Sequence, residues 1–312
     1  MLIPCYNEEA SIATVVRDFR AALPDATVYV YDNNSRDQTV ELARAAGAVV
    51  RREPLQGKGN VVRRMFADVE ADVYVLVDGD ATYHAPSAPA LVGKLVAEHL
   101  DMVNATRVTD IAAAYRPGHR FGNMLLTGLV GHIFGNRVAD MLSGYRVFSR
   151  RFAKSFPALS GGFEIETELT VHALELRMPM GELKTPYKDR PPGSASKLRT
   201  FHDGFRILKL ILVLVKEERP LQFFSLLSAM LALVSLGFAW PVIVTFMETG
   251  LVPRLPTAVL SMGLMLLGFL SLTCGLILET VTRGRREIKR MQYLAIPAPG
   301  VRRTLRSGRV GR

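Results

Sequence analysis

Two carboxylates stand one residue apart in Asp78-Gly79-Asp80, where the apolar run Val73-Tyr74-Val75-Leu76-Val77 stops. A run of β-branched and aliphatic residues bounded by turn residues reads as a buried strand. At i and i+2 after such a strand, two acids lie close together on backbone that the sheet holds still. Carboxylate oxygens suit hard divalent cations, and those cations suit phosphates. The chemistry this permits is a metal–diphosphate site at the carboxyl edge of an α/β sheet, where open sheets bind ligands. A plain polar turn after a strand is the other reading of the same residues.

Three more polar loops carry residue types that could complete such a site. Ile3-Pro4-Cys5-Tyr6-Asn7-Glu8-Glu9 follows a first strand and opens a helix. Amides at a helix start suit anions, and a carboxylate there can accept from a base or ribose. Capping by Asn7 is the plainer use. Asp32-Asn33-Asn34-Ser35-Arg36-Asp37 follows a second strand. Asp32 is placed like the acid that holds a ribose or base edge in nucleotide-binding α/β folds; a polar turn with an N-cap is the alternative. Gln56-Gly57-Lys58-Gly59 precedes a third helix. Its glycines permit close backbone approach, and Lys58 can meet phosphate. It is neither a Walker loop nor a full G-x-G-x-x-G, which counts against kinase and dehydrogenase chemistry.

These loops need a scaffold, and the first 110 residues alternate strand and helix signals. Strands are expected at 2–3, 28–31, 48–50, 73–77 and 101–106, and helices over 8–22, 37–46, 57–69 and 86–98. That alternation predicts an α/β fold with a doubly wound, mostly parallel sheet. From 107 to about 157 the pattern loosens, apart from an apolar helical stretch over 120–134. Residues 163–176 read as a helix whose Glu164 and Glu166 form a solvated or interface face. Residues 184–198 read as a basic loop too rich in Pro, Gly and Ser to be regular.

The chain of 312 residues also carries two stretches without a charged residue, 221–246 and 255–278. Each exceeds the roughly 20 residues that span a bilayer core. Two transmembrane helices are expected, at about 221–247 and 255–279, after an interfacial amphipathic segment at 205–220. The net charge of +10 is uneven, because residues 283–312 hold ten Lys/Arg and one acid. A basic segment straight after a membrane helix marks the cytoplasmic side and favours anionic lipid headgroups. With two spans, the N-terminal domain shares that side. Little aromatic interleaving argues against nucleic acid as the partner. Cys5 and Cys274 fall in different regions, so no disulfide is expected, and reduced thiols fit this topology. The chain opens inside an apolar strand, so a few upstream residues are expected.

The order and spacing of these loops resemble family 2 glycosyltransferases of the inverting, GT-A type. That pattern comprises a Pro-x-Tyr-Asn-Glu opening, an Asp-x-x-Ser-x-Asp-x-Thr loop (here Asp32 to Thr39), a Gly-Lys-Gly segment and an Asp-x-Asp motif. Asp140-Met141-Leu142-Ser143-Gly144-Tyr145-Arg146 is similar to the Asp-x-x-Ser-Gly-Phe/Tyr-Arg motif of polyprenyl-phosphate sugar synthases, the group that includes dolichyl-phosphate mannose synthase. The 190–198 segment, with Gly193, Ser196 and Lys197, is similar to their flexible loop near the donor. The Gln-x-x-Arg-Trp motif of processive polysaccharide synthases does not occur.

The resemblance implies a GT-A catalytic domain over 1–204, the membrane part over 205–282 and a basic cytoplasmic tail over 283–312. It implies a nucleotide-sugar donor, GDP-mannose or a UDP-hexose, with Pro4, Tyr6, Glu8 and Asp32 lining it. Asp80 would bind Mg²⁺ or Mn²⁺ directly, with Asp78 helping to hold the metal or the ribose. Lys58, Arg190 and Lys197 would add charge near the diphosphate. The acceptor would be a dolichyl or undecaprenyl phosphate, held by Arg107, Arg120 and Arg146. A phosphate oxygen is already anionic near neutral pH, so no strong general base is needed. Asp140 could orient the acceptor, act as a weak base or cap structure. Thr82 stands where related synthases can carry a further side-chain ligand, and His84 lies close by in sequence. A protein of the cytoplasmic membrane follows, with its oligomeric state open. The rivals are transfer to another lipid such as diacylglycerol, which needs a base, and a non-catalytic membrane scaffold. Arg107, Arg120 and Arg146 argue against the first, and the intact Asp78/Asp80 pair with Lys58 against the second.

Overall fold

The computed structural model describes residues 1–108, 140–162, 164–188 and 219–299, with isolated positions 128, 213, 216 and 217. Arg120, Arg190 and Lys197 lie outside the described residues, as do the expected 120–134 helix, the 190–198 loop and most of the 205–220 segment. Contacts divide the chain into two units, Met1–Ile207 with Lys289–Arg312, and Leu208–Ile288.

The first unit runs β1 (Leu2–Cys5), α1 (Ile12–Ala22), β2 (Tyr29–Asp32), α2 (Thr39–Ala45), β3 (Val49–Arg52), α3 (Lys58–Asp68), β4 (Val73–Leu76) and α4 (Ala88–Ala97). It continues with β5 (Met102–Val108), β6 (Arg146–Ser149), α5 (Arg150–Ser155), α6 (Ile165–Glu175) and β7 (Met180–Pro186). These strands form a seven-stranded sheet in the order β3-β2-β1-β4-β6-β5-β7. Only β6 runs antiparallel to its neighbours, β4 and β5. The sheet is therefore mostly parallel, as the alternation predicts. Two of its strands fall where no strand was expected: β6 in the loosened region, and the last residues of β7 inside the expected basic loop. Lys184 to Pro186 is held by parallel pairing along the whole of β5, a tertiary match that local breaker content does not show.

Successive strand residues point to opposite faces, and both faces are covered. Ile3, Val30 and Val75 join Ile12, Val16, Phe19 and Leu91 in one core. Leu2, Tyr31, Tyr74 and Leu76 join Met65, Phe148, Phe152 and Ile165 in the other. The apolar spacing in α1 behaves as read, since Ile12, Val15, Val16 and Phe19 are all buried. Its start is later than the pattern suggests. Asn7 turns the chain at φ 52°, and the helix begins at Ile12.

The C-terminal turn of the last long helix and the residues after it belong to this unit. Asp101, fully buried, accepts from Arg151 Nε and Nη2 at 2.5 and 2.8 Å, from Ser149 Oγ at 2.6 Å and from Tyr293 Oη at 2.7 Å. The Arg151 guanidinium lies 4.6 Å from the Tyr293 ring centroid. Lys289 pairs with Glu175 at 2.7 Å.

The second unit is built on α7 (Pro220–Thr249) and α8 (Leu255–Leu294), whose last residues pass into the first unit. Both are long and apolar enough to cross a membrane. At 1.5 Å per residue, the 30 residues of α7 reach about 45 Å. Small residues let the two helices approach: a Cβ on Gly275 would come within 2.8 Å of Phe224 Cβ, and Ser235 Oγ donates to the Ser261 carbonyl at 2.6 Å. Most of their large apolar side chains, Leu233, Trp240 and Phe269 among them, remain exposed.

Candidate active site

β1 and β4 are paired only at Leu2 and Leu76, with the Val77 N–H donating to the Leu2 carbonyl. Pro4 has no N–H and cannot extend that ladder. β1 has β2 on its other side, so the boundary between β1 and β4 is where the strand order reverses, the usual place of the ligand crevice in an open α/β sheet.

The β1 and β2 loops are sewn together on one side of this crevice. Ser35 Oγ accepts from the Asn7 N–H at 2.9 Å and Asp37 Oδ2 from the Glu9 N–H at 3.2 Å. Thr39 Oγ1 accepts from the Glu8 N–H at 2.8 Å and donates to Asp37 Oδ1 at 2.5 Å. The Ser, Asp and Thr of the Asp32-to-Thr39 pattern therefore each satisfy a backbone amide of the first loop. Asp32 is buried, and its Oδ1 accepts from the Ser35 N–H at 3.1 Å. Glu8 is buried beside Ser11, whose Oγ donates to the Gly79 carbonyl at 2.6 Å. Pro4 and Tyr6 are half-buried at the end of β1. Asn33, which the sequence did not single out, donates to the Glu53 and Leu55 carbonyls, both at 2.8 Å, and accepts from the Gly57 N–H at 2.7 Å.

The glycines flanking Lys58 serve a different neighbour from the ligand expected. A Cβ on Gly57 or Gly59 would collide with the Gly161 and Ser160 carbonyls. The Gly59 N–H donates to the Gly162 carbonyl at 3.1 Å. The close backbone approach is thus to the chain's own 160–162 segment.

Lys58 turns inward to the acids. Its ammonium pairs with Asp78 Oδ1 at 2.5 Å and with Glu166 Oε1. Burial alone would lower its pKa, but the two carboxylates more than offset this and hold it raised. Glu166 is 6% exposed, not part of a solvated face. The first turn of α6 is held against α3 by this pair. Glu166 Oε2 is buried with no hydrogen-bond partner among the described residues. Gly144 lies directly against Asp78, where a Cβ would stand 2.8 Å from Asp78 Cγ.

Asp80 is buried. Its Oδ1 accepts from Thr82 Oγ1 at 2.6 Å and from the Thr82 N–H at 3.2 Å. Between them Ala81 adopts φ 58°, a left-handed strain typical of loops that position functional groups. Thr82 thus braces Asp80 rather than replacing a missing ligand. His84 Nδ1 is paired with Ser87 Oγ at 2.9 Å.

At the other end, Arg107 Nε and Nη2 grip Asp140 at 2.7 and 2.8 Å. The guanidinium lies 5.4 Å from the Tyr187 ring centroid, and Tyr187 packs edge-on against Tyr83. Tyr83 Oη in turn accepts from the Gly144 N–H at 2.8 Å. Asp140 also accepts from the Leu142 N–H at 3.3 Å. Burial would raise its pKa, but the Arg107 bonds and charge outweigh that and hold it below the usual value. A carboxylate so occupied is a poor proton acceptor, and its pairing with Arg107 is a use that the sequence reading did not include.

Arg146 is 0% exposed. Its Nε, Nη1 and Nη2 donate to the Ser143 carbonyl, Thr170 Oγ1 and the Met141 carbonyl at 2.9, 2.8 and 2.6 Å. Burial pulls its pKa down to about 10, against the fields of Glu166 and Asp140. This is the position of an internal strut, fully buried and bonded through all three nitrogens.

The donor set for a metal is two hard carboxylates. Among the described residues no cluster of three or more His, Cys, Asp or Glu side chains is placed to hold an ion. One or two carboxylates completed by substrate phosphate and water is the usual way Mg²⁺ is bound, so Asp78 and Asp80 fit such a cation arriving with a diphosphate.

Residues 1–156 match the family model Glycosyl transferase family 2. Glycosyltransferase AglJ of Haloferax volcanii is 33% identical over 301 residues, 94% of this chain and 97% of the relative. The dolichyl-phosphate hexose transferase of the same organism is 29% identical over 215 residues, 69% and 92% of the two chains. Among solved structures, glucosyl-3-phosphoglycerate synthase from Mycobacterium tuberculosis, in complex with Mn²⁺, uridine diphosphate and phosphoglyceric acid, is similar at a TM-score of 0.57. That match covers 69% of this chain and 76% of the other at 23% identity, a likeness of fold.

Proposed function

The chain belongs to glycosyl transferase family 2, and from that premise we propose that it moves one hexose from a GDP- or UDP-sugar to a polyprenyl phosphate at a membrane surface, inverting the anomeric carbon. The observation that carries this reading is the Arg107–Asp140 pair, joined through Tyr187, Tyr83 and Gly144 to the Asp78/Asp80 end. A guanidinium held by a carboxylate at this end supports an anionic acceptor. Among the described residues the carboxylate beside it, Asp140, is committed to Arg107; a hydroxyl acceptor would require a base and a phosphate oxygen would not.

Pro4, Tyr6, Glu8 and Asp32 surround the nucleoside in this reading, and Asp78 and Asp80 hold Mg²⁺ or Mn²⁺. When bound, the cation neutralises the departing diphosphate. Arg107 binds the acceptor phosphate, Asp140 holds Arg107 in place, and Arg146 braces the loop that carries both Asp140 and Gly144. Arg120, Arg190 and Lys197 join the anion-binding set on their sequence positions. The apolar α7 and α8 and the dolichyl-phosphate hexose transferase relative support a lipid acceptor. The mycobacterial synthase, solved with Mn²⁺ and uridine diphosphate, supports the donor chemistry. Arginine-rich sequence after α8 supports a cytoplasmic catalytic unit and tail.

The test is radiolabel transfer from GDP-mannose, UDP-glucose and UDP-N-acetylglucosamine to undecaprenyl phosphate or diacylglycerol, with Mn²⁺ present. Transfer to undecaprenyl phosphate that Arg107→Ala weakens through KM for the lipid is expected. Transfer to diacylglycerol with none to undecaprenyl phosphate would sink the reading.

A further inference from the structure

Lys58 stands where a cation is wanted. It is a buried ammonium 2.5 Å from Asp78 Oδ1, one of the two carboxylates that fit a divalent ion. A metal that takes Asp78 must displace it. An ammonium left buried without a partner costs several kcal/mol, so Lys58 can release Asp78 only if another anion keeps it. Glu166 is that anion. Its Oε1 already holds the same ammonium, and its Oε2 is buried with no hydrogen-bond partner among the described residues. A lysine has three donors, so the ammonium can move onto both Glu166 oxygens when Asp78 is taken.

We propose that Lys58 holds Asp78 until a divalent cation and the donor diphosphate claim it, and that Glu166 is a positioning residue which then receives Lys58. The proposal rests on the metal–diphosphate reading of Asp78 and Asp80. It adds the exchange: one positive charge leaves the first carboxylate as another arrives, and the buried lysine is never unpaired. Gly144 supports the same picture. A side chain there would push the Asp78 carboxylate aside, away from its place beside Lys58.

The test is Mn²⁺ binding to the purified full chain in detergent, by electron paramagnetic resonance titration with and without UDP. Glu166→Gln leaves Lys58 with Asp78 as its one charged partner among the described residues, so Mn²⁺ must compete with a fixed ammonium. Its Kd is expected to rise about tenfold or more, within the range for residues that orient metal ligands. Adding Lys58→Met to Glu166→Gln removes the competitor and should return Mn²⁺ affinity to wild type or tighter. A purely structural Glu166 could not give that rescue. Thermal melts of each variant check folding. Unchanged Mn²⁺ affinity in Glu166→Gln, or a double variant as weak as the single, overturns the exchange. Wild-type Mn²⁺ binding that Asp80→Asn leaves intact overturns the metal reading itself, and the exchange with it.

Discussion

Gly144→Ala is the sharpest single test of the donor-side geometry. The new Cβ would overlap Asp78 Oδ2 and stand 2.8 Å from Cγ. Ordinary contacts begin near 3.4 Å, so with Oδ2 the nearest atom the carboxylate has to retreat by about 1 Å. Its Oδ1 is paired with Lys58, which Glu166 holds in turn, so the shift disturbs that pair too. Displacements approaching 1 Å in a positioned group cost on the order of 10²-fold in rate, about 2.7 kcal/mol of barrier. The backbone itself tolerates alanine, because Gly144 lies outside the left-handed region. Stability should fall by no more than about 1 kcal/mol, a shift of a few degrees in Tm for a unit of this size. Gly93→Ala is the control. It lies in α4 with nothing within 4 Å of a new Cβ, and should stabilise by about 0.5–1 kcal/mol without changing turnover. The assay is initial-rate sugar transfer at saturating lipid phosphate with Mn²⁺, alongside a thermal melt. Wild-type kcat/KM in Gly144→Ala at unchanged Tm would refute the close fit between Gly144 and Asp78.

Other outcomes follow from single contacts. Thr82→Val removes the 2.6 Å bond to Asp80, and Mn²⁺ affinity measured by titration should weaken about tenfold or more. Tyr293→Phe removes a 2.7 Å bond to the buried Asp101 carboxylate; a chemical melt should show a loss of about 1.5 kcal/mol, with turnover unaffected. Burial, and secondarily Lys289, holds the His172 pKa down at about 3. A folded-state pKa below the unfolded 6.5 means the unfolded chain binds the proton first. Its stability contribution is therefore complete above about pH 6.5 and lost as pH falls toward 3. At pH 5, 1.5 units below 6.5, the loss is about 2 kcal/mol. Comparing melts of wild type and His172→Phe between pH 7 and 5 isolates it, and parallel pH profiles would contradict the assignment.

Local pattern was enough for the alternating first 110 residues, because each strand and helix there carries its own period and ends in a polar loop. Asp78, Asp80 and Asp32 could be located for the same reason: the carboxyl end of a strand is a local fact. Glu166 could not. It reaches Lys58 across 108 positions of sequence, and an acidic first turn looks solvated until the helix it packs against is known. The glycines around Lys58 show the same limit, since a Gly-x-Gly permits close approach without naming what approaches. Arg146 is a third case. A guanidinium in a motif suggests an anion, whereas this one is consumed by two carbonyls and a hydroxyl. β6 was hidden by its brevity, being four residues whose burial on both faces leaves no alternation to read.

The buried charges gain a common sense when followed from one end of the crevice to the other. Asp78 pairs with Lys58, and Lys58 with Glu166. Glu166 and Asp140 both act electrostatically on Arg146, and Asp140 grips Arg107. The signs alternate, and the row has no net charge. A fully buried arginine with only neutral hydrogen-bond acceptors would be costly in isolation. Between two carboxylates it costs much less, and it joins the donor-side pair to the acceptor-side pair within one field. Two consequences follow for the reaction. On the proposed exchange, a divalent ion arriving with its diphosphate meets Asp78 already paired with Lys58 and replaces it there, with Asp80 a further carboxylate outside the row. Arg107 has two nitrogens committed to Asp140, which fixes the guanidinium plane, so on the proposed reading an acceptor phosphate shares a guanidinium already paired with a carboxylate.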